Sequence, residues 1–586
     1  MLSLNAATLR LRYTVTEIMS TIDENTPGSG LGQDTLDNAK KYKPLPHRHI
    51  RLLTRYREDG SDTFTFKFIP AYLDDEAPYL FTAISYTWGD PYANSQSLLV
   101  DDIELTIPQS SAAVIRHFTK CFEDFTIWID AVCINQEDLQ EKGVQVGYMK
   151  DVYQGADQVF IWLGDEEADS TLAFEQLRKL GAERPETTPI EGVKSNPECR
   201  KAMYKLFSRP WFNRVWVIQE LALGRNVVVA SGKDRVDWNV FARALSQMTD
   251  SVDSHVEFFG PSIPSGVINV ETMSFVRDLV VSGTPPSMEM VLRVMLTFQA
   301  TNPSDKVFGL LGLIADGDDP AFEPDYTLYP QEVYLRCITA FVERGHLQFL
   351  SQAGIGLPRA FSDLMSWVPD FSISMQAAQS QPRRVFSAAG DSSPDAYVVR
   401  QTQLVVKGSI IDEVEHIAPD GPLEDCFKDL MLQAKTLQPY PTGESWHEVV
   451  WRTSIKDVWV NKRAPADLGQ LWRCFATRLD TELPGESCGF ARDECKRMHQ
   501  DKFEELLSSR FFGSWQIHFT TKSGYVGLGY VGMNVGDRVA IILGLEELYL
   551  LRNEESTYRL VGQCYVHGLM DGEGMKEMKP ETIVLN

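Results

Sequence analysis

Three segments of this chain end an apolar run on a polar side chain, the pattern by which buried strands and helix ends place chemistry at the rim of a sheet. They are Ser85-Tyr86-Thr87-Trp88-Gly89-Asp90-Pro91, Trp128-Ile129-Asp130-Ala131-Val132-Cys133-Ile134-Asn135-Gln136, and Arg209-Pro210-Trp211-Phe212-Asn213-Arg214-Val215-Trp216-Val217-Ile218-Gln219-Glu220. Asp90 and Asp130 each follow a strand-like run. If both runs are parallel strands, the two carboxylates lie at the carboxyl edge of the sheet, where open α/β folds bind ligands. Each aspartate serves equally well as a cap for the turn or helix after it. Trp211 and Trp216 read more readily as core than as stacking platforms. From the residues alone, Glu220 is a helix-surface acid near Arg225 or a buried acid bonded to the backbone.

The elements that must position these residues alternate between strand and helix. Phe81 to Tyr86, Thr126 to Ile129 and Gln158 to Trp162 are short, β-rich and bounded by turn residues. Ser110 to Phe122 and Gln136 to Gln154 between them suit amphipathic helices. Ala202 to Leu223 carries a helical apolar face interrupted by Pro210, with Gly224 as terminator and Asn226 to Ala230 as a further strand. Strands alternating with helices argue for a parallel sheet covered on both faces. From 236 to 375 the pattern is mostly helical, with Asp305 to Leu313 and Tyr334 to Glu343 the clearest runs. A strand at Gln403 to Val406, helices between 425 and 510, and a β meander from Gly524 to His567 complete the chain.

At 586 residues the chain exceeds a single core and predicts several domains. Its formal charge of −25, with no Lys/Arg run, argues against nucleic acid as partner. Nine scattered cysteines without a CxxC pair point to reduced thiols, in cytoplasm or nucleus, rather than to a disulfide framework. No stretch approaches the ~18 apolar residues of a membrane span. Residues 1–45 are polar and fit a disordered leader; Arg10 and Arg12 faintly resemble a mitochondrial presequence, but the cleavage context is absent.

Other motifs carry less. Gly527-Leu528-Gly529-Tyr530-Val531-Gly532 fits the dinucleotide fingerprint in letters, but a turn and another strand come after it where a helix is required. It reads as a Gly-rich β turn region. His567, Asp571 and Glu573, and His47 with His49, lack a second cluster at ligand spacing, so no metal is expected. Cys133 reads as a buried structural thiol, with no sequence-near histidine to activate it.

The three opening segments, with Glu141-Lys142, Gln145-Val146, Met149, Val152-Tyr153 and Ala156 between them, resemble the fungal heterokaryon-incompatibility (HET) domain over Ile50 to Gly232. Lys142 stands where that family often has Arg, a mild change if the residue only pairs a carboxylate. Asp305 to Leu313, Trp367-Val368-Pro369-Asp370 and Gly562 to Glu573 resemble the segments C-terminal to the domain in many long fungal proteins. The resemblance implies allorecognition: growth arrest or cell death when genetically unlike hyphae fuse. It implies no chemistry by itself.

A remoter resemblance does. The order of strand, Asp-ended strand, helix, strand and Trp-x-x-x-Glu-Leu is similar to the Toll/interleukin-receptor (TIR) domain, whose NAD-cleaving members carry their catalytic glutamate four residues after a Trp. Trp216 and Glu220-Leu221 reproduce that spacing. The resemblance implies Glu220 as catalytic carboxylate, with Ser85, Trp88, Asp90, Asp130, Arg214 and Trp216 lining an NAD substrate site and no bound cofactor or metal. Trp88 or Trp216 would stack on a ring and Arg214 would pair the pyrophosphate.

The expectations are therefore an α/β fold with a TIR/flavodoxin-like parallel sheet, a disordered leader (1–45), HET domain (46–235), helical extension (236–375), linker (376–395) and C-terminal α+β region (396–586). Function is expected as incompatibility signalling through a partner protein or self-association, with NAD hydrolysis as the enzymatic reading. The rival reading is a non-catalytic module in which Trp88, Trp211 and the helix ending at Glu220 form a docking surface. In a third, residues 396–586 recognise the partner.

Overall fold

In the computed structural model, the described residues are 42–57, 64–75, 79–89, 95–182, 190–249, 258–259, 263–373, 385–400, 402–419, 423–459, 462–466, 468–469, 472–473, 516–577 and 579–586. Residues 1–41 of the expected leader, Asp90 and the stretch 474–515 lie outside them, whereas the leader's last residues belong to the fold, Tyr42 Oη donating to Val132 O at 3.0 Å.

Four short, largely apolar runs make the centre of the N-terminal sheet. Its strands are β1 (His49–Arg57), β2 (Phe64–Tyr72), β3 (Thr82–Tyr86), β6 (Phe125–Trp128), β7 (Gln158–Trp162), β8 (Val227–Ser231) and β9 (Asp234–Asp237), with the hairpin β4 (Gln96–Val100) and β5 (Ile103–Ile107) set beside it. The spatial order is β2-β1-β6-β3-β7-β8-β9. Strands β6, β3, β7 and β8 are parallel. Taken in chain order, these four lie second-first-third-fourth, the order of a flavodoxin-like sheet, whose switch point falls at its first strand. Ala83, Ile127, Val159, Ile161 and Val229 are fully buried, as strands covered on both faces require.

The expected parallel strands are thus present, but the sheet is mixed. Strands β1 and β2 pair antiparallel with each other and β1 with β6, while β9 turns back on β8. The β4–β5 hairpin turns through Asp101 and Asp102, both with positive φ, as a two-residue hairpin demands. Asp101 also docks on β2: its N–H donates to Phe66 O at 3.0 Å and its carboxylate accepts from Phe68 N at 3.1 Å.

Helices α1 (Gln109–Cys121), α2 (Asp130–Cys133) and α3 (Leu139–Gly155) connect β3 to β6 and β6 to β7. Asp138 caps α3, its carboxylate accepting from Gln140 N and Glu141 N at 3.0 Å each. Beyond β7 come α4 (Ser170–Leu180), α5 (Ile190–Ser195), α6 (Pro197–Phe207) and α7 (Trp216–Leu223). The helical face expected over 202–223 is interrupted at Pro210, as expected: α6 stops at Phe207, and Pro210–Asn213 forms a separate 3-10 turn. Proline fits its first position, where no backbone N–H is needed.

The middle of the chain is helical, as expected: α8 (Trp238–Met248), α9 (Ser265–Val281), α10 (Met288–Val294), α11 (Asp305–Phe308) and α12 (Pro330–Glu343). In the C-terminal region, β10 (Ala396–Val399) and β11 (Gln403–Ile417) precede α13 (Leu423–Thr436), α14 (Trp446–Ser454) and a small hairpin, β12 (Val458–Trp459) with β13 (Lys462–Arg463). Strands β14 (Gln516–Thr521), β15 (Val526–Tyr530), β16 (Arg538–Ile542), β17 (Leu548–Glu554), β18 (Thr557–Val566) and β19 (Glu581–Leu585) complete the region. The long β11 pairs with β14 over Val414–Ile417 and with β16 over Gly408–Glu413, closing a barrel. Register shifts at Ile410/Asp412 and Val414/His416 are the bulges that bend it.

Two expectations change here. Gly527-Leu528-Gly529-Tyr530 is strand β15, not a turn, and its glycines are packing positions: a Cβ at Gly527 would meet the Phe519 ring at 2.4 Å. Residues 385–395, the described part of the expected linker, pack on the barrel, where Ala388 and Ala389 are buried and Ala388 N bonds Glu546 O at 2.9 Å. One continuous core runs from Ile50 through the helical middle to Leu585.

Arg51, on β1, ties this frame to α3. Its guanidinium is almost fully buried and forks onto both oxygens of Glu141, one at 2.9 Å, while also donating to Lys43 O and Cys133 O. Removing one member of a buried pair strands the other, at about 3–5 kcal/mol. Arg51→Met is therefore expected to lower the thermal unfolding midpoint far more than Ile161→Val, at about 0.5–1.5 kcal/mol; calorimetry of both variants checks this.

Candidate functional site

The carboxyl ends of β3 and β6 hold the expected polar residues. Ser85 and Tyr86 are the last two residues of β3, and the alternation of a strand sends their side chains to opposite faces. On one face, Ser85 Oγ donates to the carboxylate of Glu220 on α7 and accepts from Trp211 Nε1 at 2.8 Å. On the other, Tyr86 Oη shares a hydrogen with Ser111 Oγ at 2.8 Å, seating α1.

Glu220 is 2 % exposed and Ser85 and Trp211 are fully buried. Helix α7, Trp-Val-Ile-Gln-Glu-Leu-Ala-Leu, is buried along its length except at Trp216. Burial pushes the Glu220 carboxyl from 4.5 up to about 7, opposed by the Arg214 charge and the Ser85 hydroxyl and assisted by the Asp130 charge. In this arrangement the buried acid is about half protonated near neutral pH.

A second cluster sits at the more open mouth. Asp130 begins α2, where its Oδ1 accepts from Ala131 N at 2.7 Å, and its Oδ2 accepts from Trp88 Nε1 at 2.8 Å. Desolvation raises the Asp130 pKa, and Arg214 and Trp88 pull it down. Arg214 donates to Tyr86 O, bridging the two clusters. Ser110 Oγ donates to Trp88 O at 2.5 Å, and Gly89 turns the chain with φ of +79°.

Of the sequence-expected residues, the fold brings Ser85, Glu220, Arg214, Asp130 and Trp88 to one edge of the sheet. Asp90 lies outside the described residues. Trp216 is turned away, its indole N–H donating to Asp305 Oδ2 at 2.9 Å rather than standing free as a platform. Two contributors were not expected at this site: Trp211, read as core or as part of a docking surface, whose N–H completes the Ser85 pair, and Asp305. A Trp next to a motif break gave a signal for the first; the second is 89 residues from its partner.

The remaining candidates are engaged elsewhere. Burial pushes the Cys133 thiol up to about 12, which leaves it inert as a nucleophile. His567 Nε2 lies 2.8 Å from Glu444 Oε2 and its Nδ1 2.9 Å from Tyr565 Oη. Among the described residues no cluster of three or more His, Cys, Asp or Glu side chains could hold a metal ion. Among them, too, no helix is long and apolar enough to cross a membrane.

Comparison with known proteins gives two family matches. Residues 81–220 match the family "Heterokaryon incompatibility protein (HET)", and residues 497–585 the "Het-6 beta-barrel domain". The chain is 24% identical to "Heterokaryon incompatibility protein 6, OR allele" of Neurospora crassa, over 85% of this chain and 90% of that protein. No solved structure matches.

The buried acid makes stability depend on pH in a defined direction. Below about 4.5 the carboxyl is protonated in both folded and unfolded chains and carries no penalty. As pH rises towards 7 the unfolded chain releases the proton while the folded one keeps it, so stability falls; above about 7 the penalty is constant. Glu220→Gln, which carries no charge, is expected to gain on the native chain across that window, by about 3 kcal/mol at most. Denaturant unfolding of both proteins at pH 4.5, 6 and 8 measures the gap.

Proposed function

Because the chain is a HET-domain protein that also carries a Het-6 beta-barrel domain, we propose that it acts in fungal allorecognition, with the HET domain triggering programmed cell death by hydrolysing NAD. The observation that carries the reading is the placement of one acid, Glu220, against Ser85 at the switch point of a flavodoxin-like sheet, with Arg214 and Asp130 within electrostatic reach. The TIR-like spacing of Trp216 and Glu220 supports the same choice.

The chemistry is set by the charge that develops. Breaking the bond between nicotinamide and ribose sends the bonding pair out with neutral nicotinamide and leaves oxocarbenium character on the sugar. A carboxylate beside the ring stabilises that cation. Water then adds to the anomeric carbon, giving ADP-ribose and a proton. Arg214 is suited to the pyrophosphate, and Trp88, fixed by Asp130, to an aromatic ring.

The closed geometry sets a condition on this reaction. With 2 % exposure and a pKa of about 7, Glu220 neither meets substrate nor bears full charge. Movement of α7 or Trp211 would admit water, restore the carboxylate and open the site in one step. A partner protein or a second copy of the chain is the proposed cause, acting in cytoplasm or nucleus. An NAD-consuming enzyme without such control would kill its own cell.

The same burial favours a second reading, in which Glu220 is purely a structural acid and the domain signals by docking. The two separate in cells expressing the full chain with an incompatible partner. Hydrolysis predicts a several-fold fall in NAD before death, lost in Glu220→Gln at equal abundance; death with NAD unchanged, or undiminished in Glu220→Gln, establishes docking.

A further inference from the structure

The run Asp305-Lys306-Val307-Phe308-Gly309-Leu310-Leu311-Gly312-Leu313 begins 85 residues beyond the end of the HET match at 220, yet Asp305 and Gly312 meet the helix that bears Glu220. Asp305 Oδ2 accepts from Trp216 Nε1 at 2.9 Å, and Asp305 Oδ1 accepts from Tyr326 Oη at 2.9 Å. Gly312 N donates to Gln219 Oε1 at 3.2 Å. A Cβ at Gly312 would stand 2.9 Å from the Gln219 side chain, so Gly312 marks close approach to α7.

The backbone just before the motif grips the same helix. Val215 N donates to Gln299 O at 2.9 Å and Gln299 N to Asn213 O at 2.5 Å, forming a bridge at the entrance to α7. Lys306 anchors the bracket from behind: its buried ammonium donates to Phe298 O and feels the charge of Asp370 in the Trp367-Val368-Pro369-Asp370 run. Asp370 is itself fixed by Ala360 N at 2.8 Å and Phe361 N at 3.0 Å. The Asp305 motif therefore meets α7 directly, and the Trp367-Val368-Pro369-Asp370 run backs it through Lys306.

We propose that Asp305 is the positioning residue of the Glu220 site, and that residues 297–326 belong to its working unit although they lie outside the HET match. Asp305 fixes Trp216, the first residue of α7; Gln219 is fixed by Gly312; and Glu220, one residue on, is thereby held against Ser85 on β3. Helix α7 is eight residues long, about two turns, too short to hold its own register without these supports. The proposal rests on the proposed function only in taking Glu220 as the acting group, and not on the reaction assigned to it.

The groups that face the Glu220 carboxyl are Ser85, Arg214, Asp130 and Tyr153, from β3, the 214 turn, α2 and α3. Releasing α7 would let water reach the acid and weaken its hold on the proton. The test is infrared titration of the full chain, following the protonated carboxyl band that disappears in Glu220→Gln. Asp305→Asn leaves a donor facing one of two donors, and Trp216→Phe removes the N–H while keeping a packed ring. Each is expected to weaken the proton affinity of Glu220 tenfold or more, moving its midpoint from about 7 towards 4.5. If Asp305→Asn does not fold, Trp216→Phe decides alone. A midpoint unchanged in the folded variants, whatever their thermal stability, overturns the proposal. This readout needs no NAD turnover, so failure of the hydrolysis reading leaves it intact.

Discussion

The contact between Ser85 and Glu220 is the constraint around which the N-terminal half is arranged. A carboxyl group removed from water must be neutralised or hydrogen-bonded. Here it is given one hydroxyl, and that hydroxyl is in turn oriented by the Trp211 indole. The chain reaches this contact from 135 residues away, so α7 must lie across the sheet at one height and one rotation only. Trp211 must reach the same hydroxyl, and it does so from the 3-10 turn at Pro210–Asn213, between the end of α6 at Phe207 and the start of α7 at Trp216.

That demand explains why the regions do not behave as beads on a string. Asn269, fully buried on α9, donates to Phe212 O at 2.9 Å, and a Cβ at Gly266 would lie 2.0 Å from Phe207 O, so α9 presses on the break itself. Farther along, Gly356 N donates to Val561 O at 2.8 Å and Ile355 N to Leu560 O at 2.9 Å, adding the end of the helical middle to β18 of the barrel. Cβ atoms at Gly354 and Gly356 would collide with the same carbonyl of Val561. The C-terminal barrel is thus joined to the middle by backbone pairing as well as by side-chain packing.

The elements legible in the sequence were those whose residues carry their own reason. The strands over 82–86, 125–128, 158–162 and 227–231 are mostly β-branched or aromatic, as parallel strands buried on both faces tend to be. Strands β1 and β2 escaped because Arg51, Arg55, Arg57 and Lys67 interrupt them. In the fold these cations are absorbed by neighbours, Arg55 over the Phe64 ring at 3.9 Å and Lys67 over Tyr56 at 4.1 Å, which no local pattern announces. The site divides the same way. Strand-end positions identify Ser85, Trp88 and Asp130, and a four-residue spacing identifies Glu220. The burial of Glu220, and the turning of Trp216 to Asp305, depend on long-range packing and were not legible.

The two ends of the N-terminal sheet bear on how copies of the protein could meet. An open strand edge invites another strand to add to it, and chains that must stay apart until signalled have reason to spoil such edges. At one end, Asp101 from the β4–β5 hairpin occupies backbone groups of β2 at Phe66 and Phe68. At the other, β9 is four residues long and begins and ends with aspartate, and Arg178 reaches over to bond Arg235 O at 3.3 Å. Strand addition is therefore disfavoured at both margins, and any self-association of this domain would have to be built through helical faces and loops.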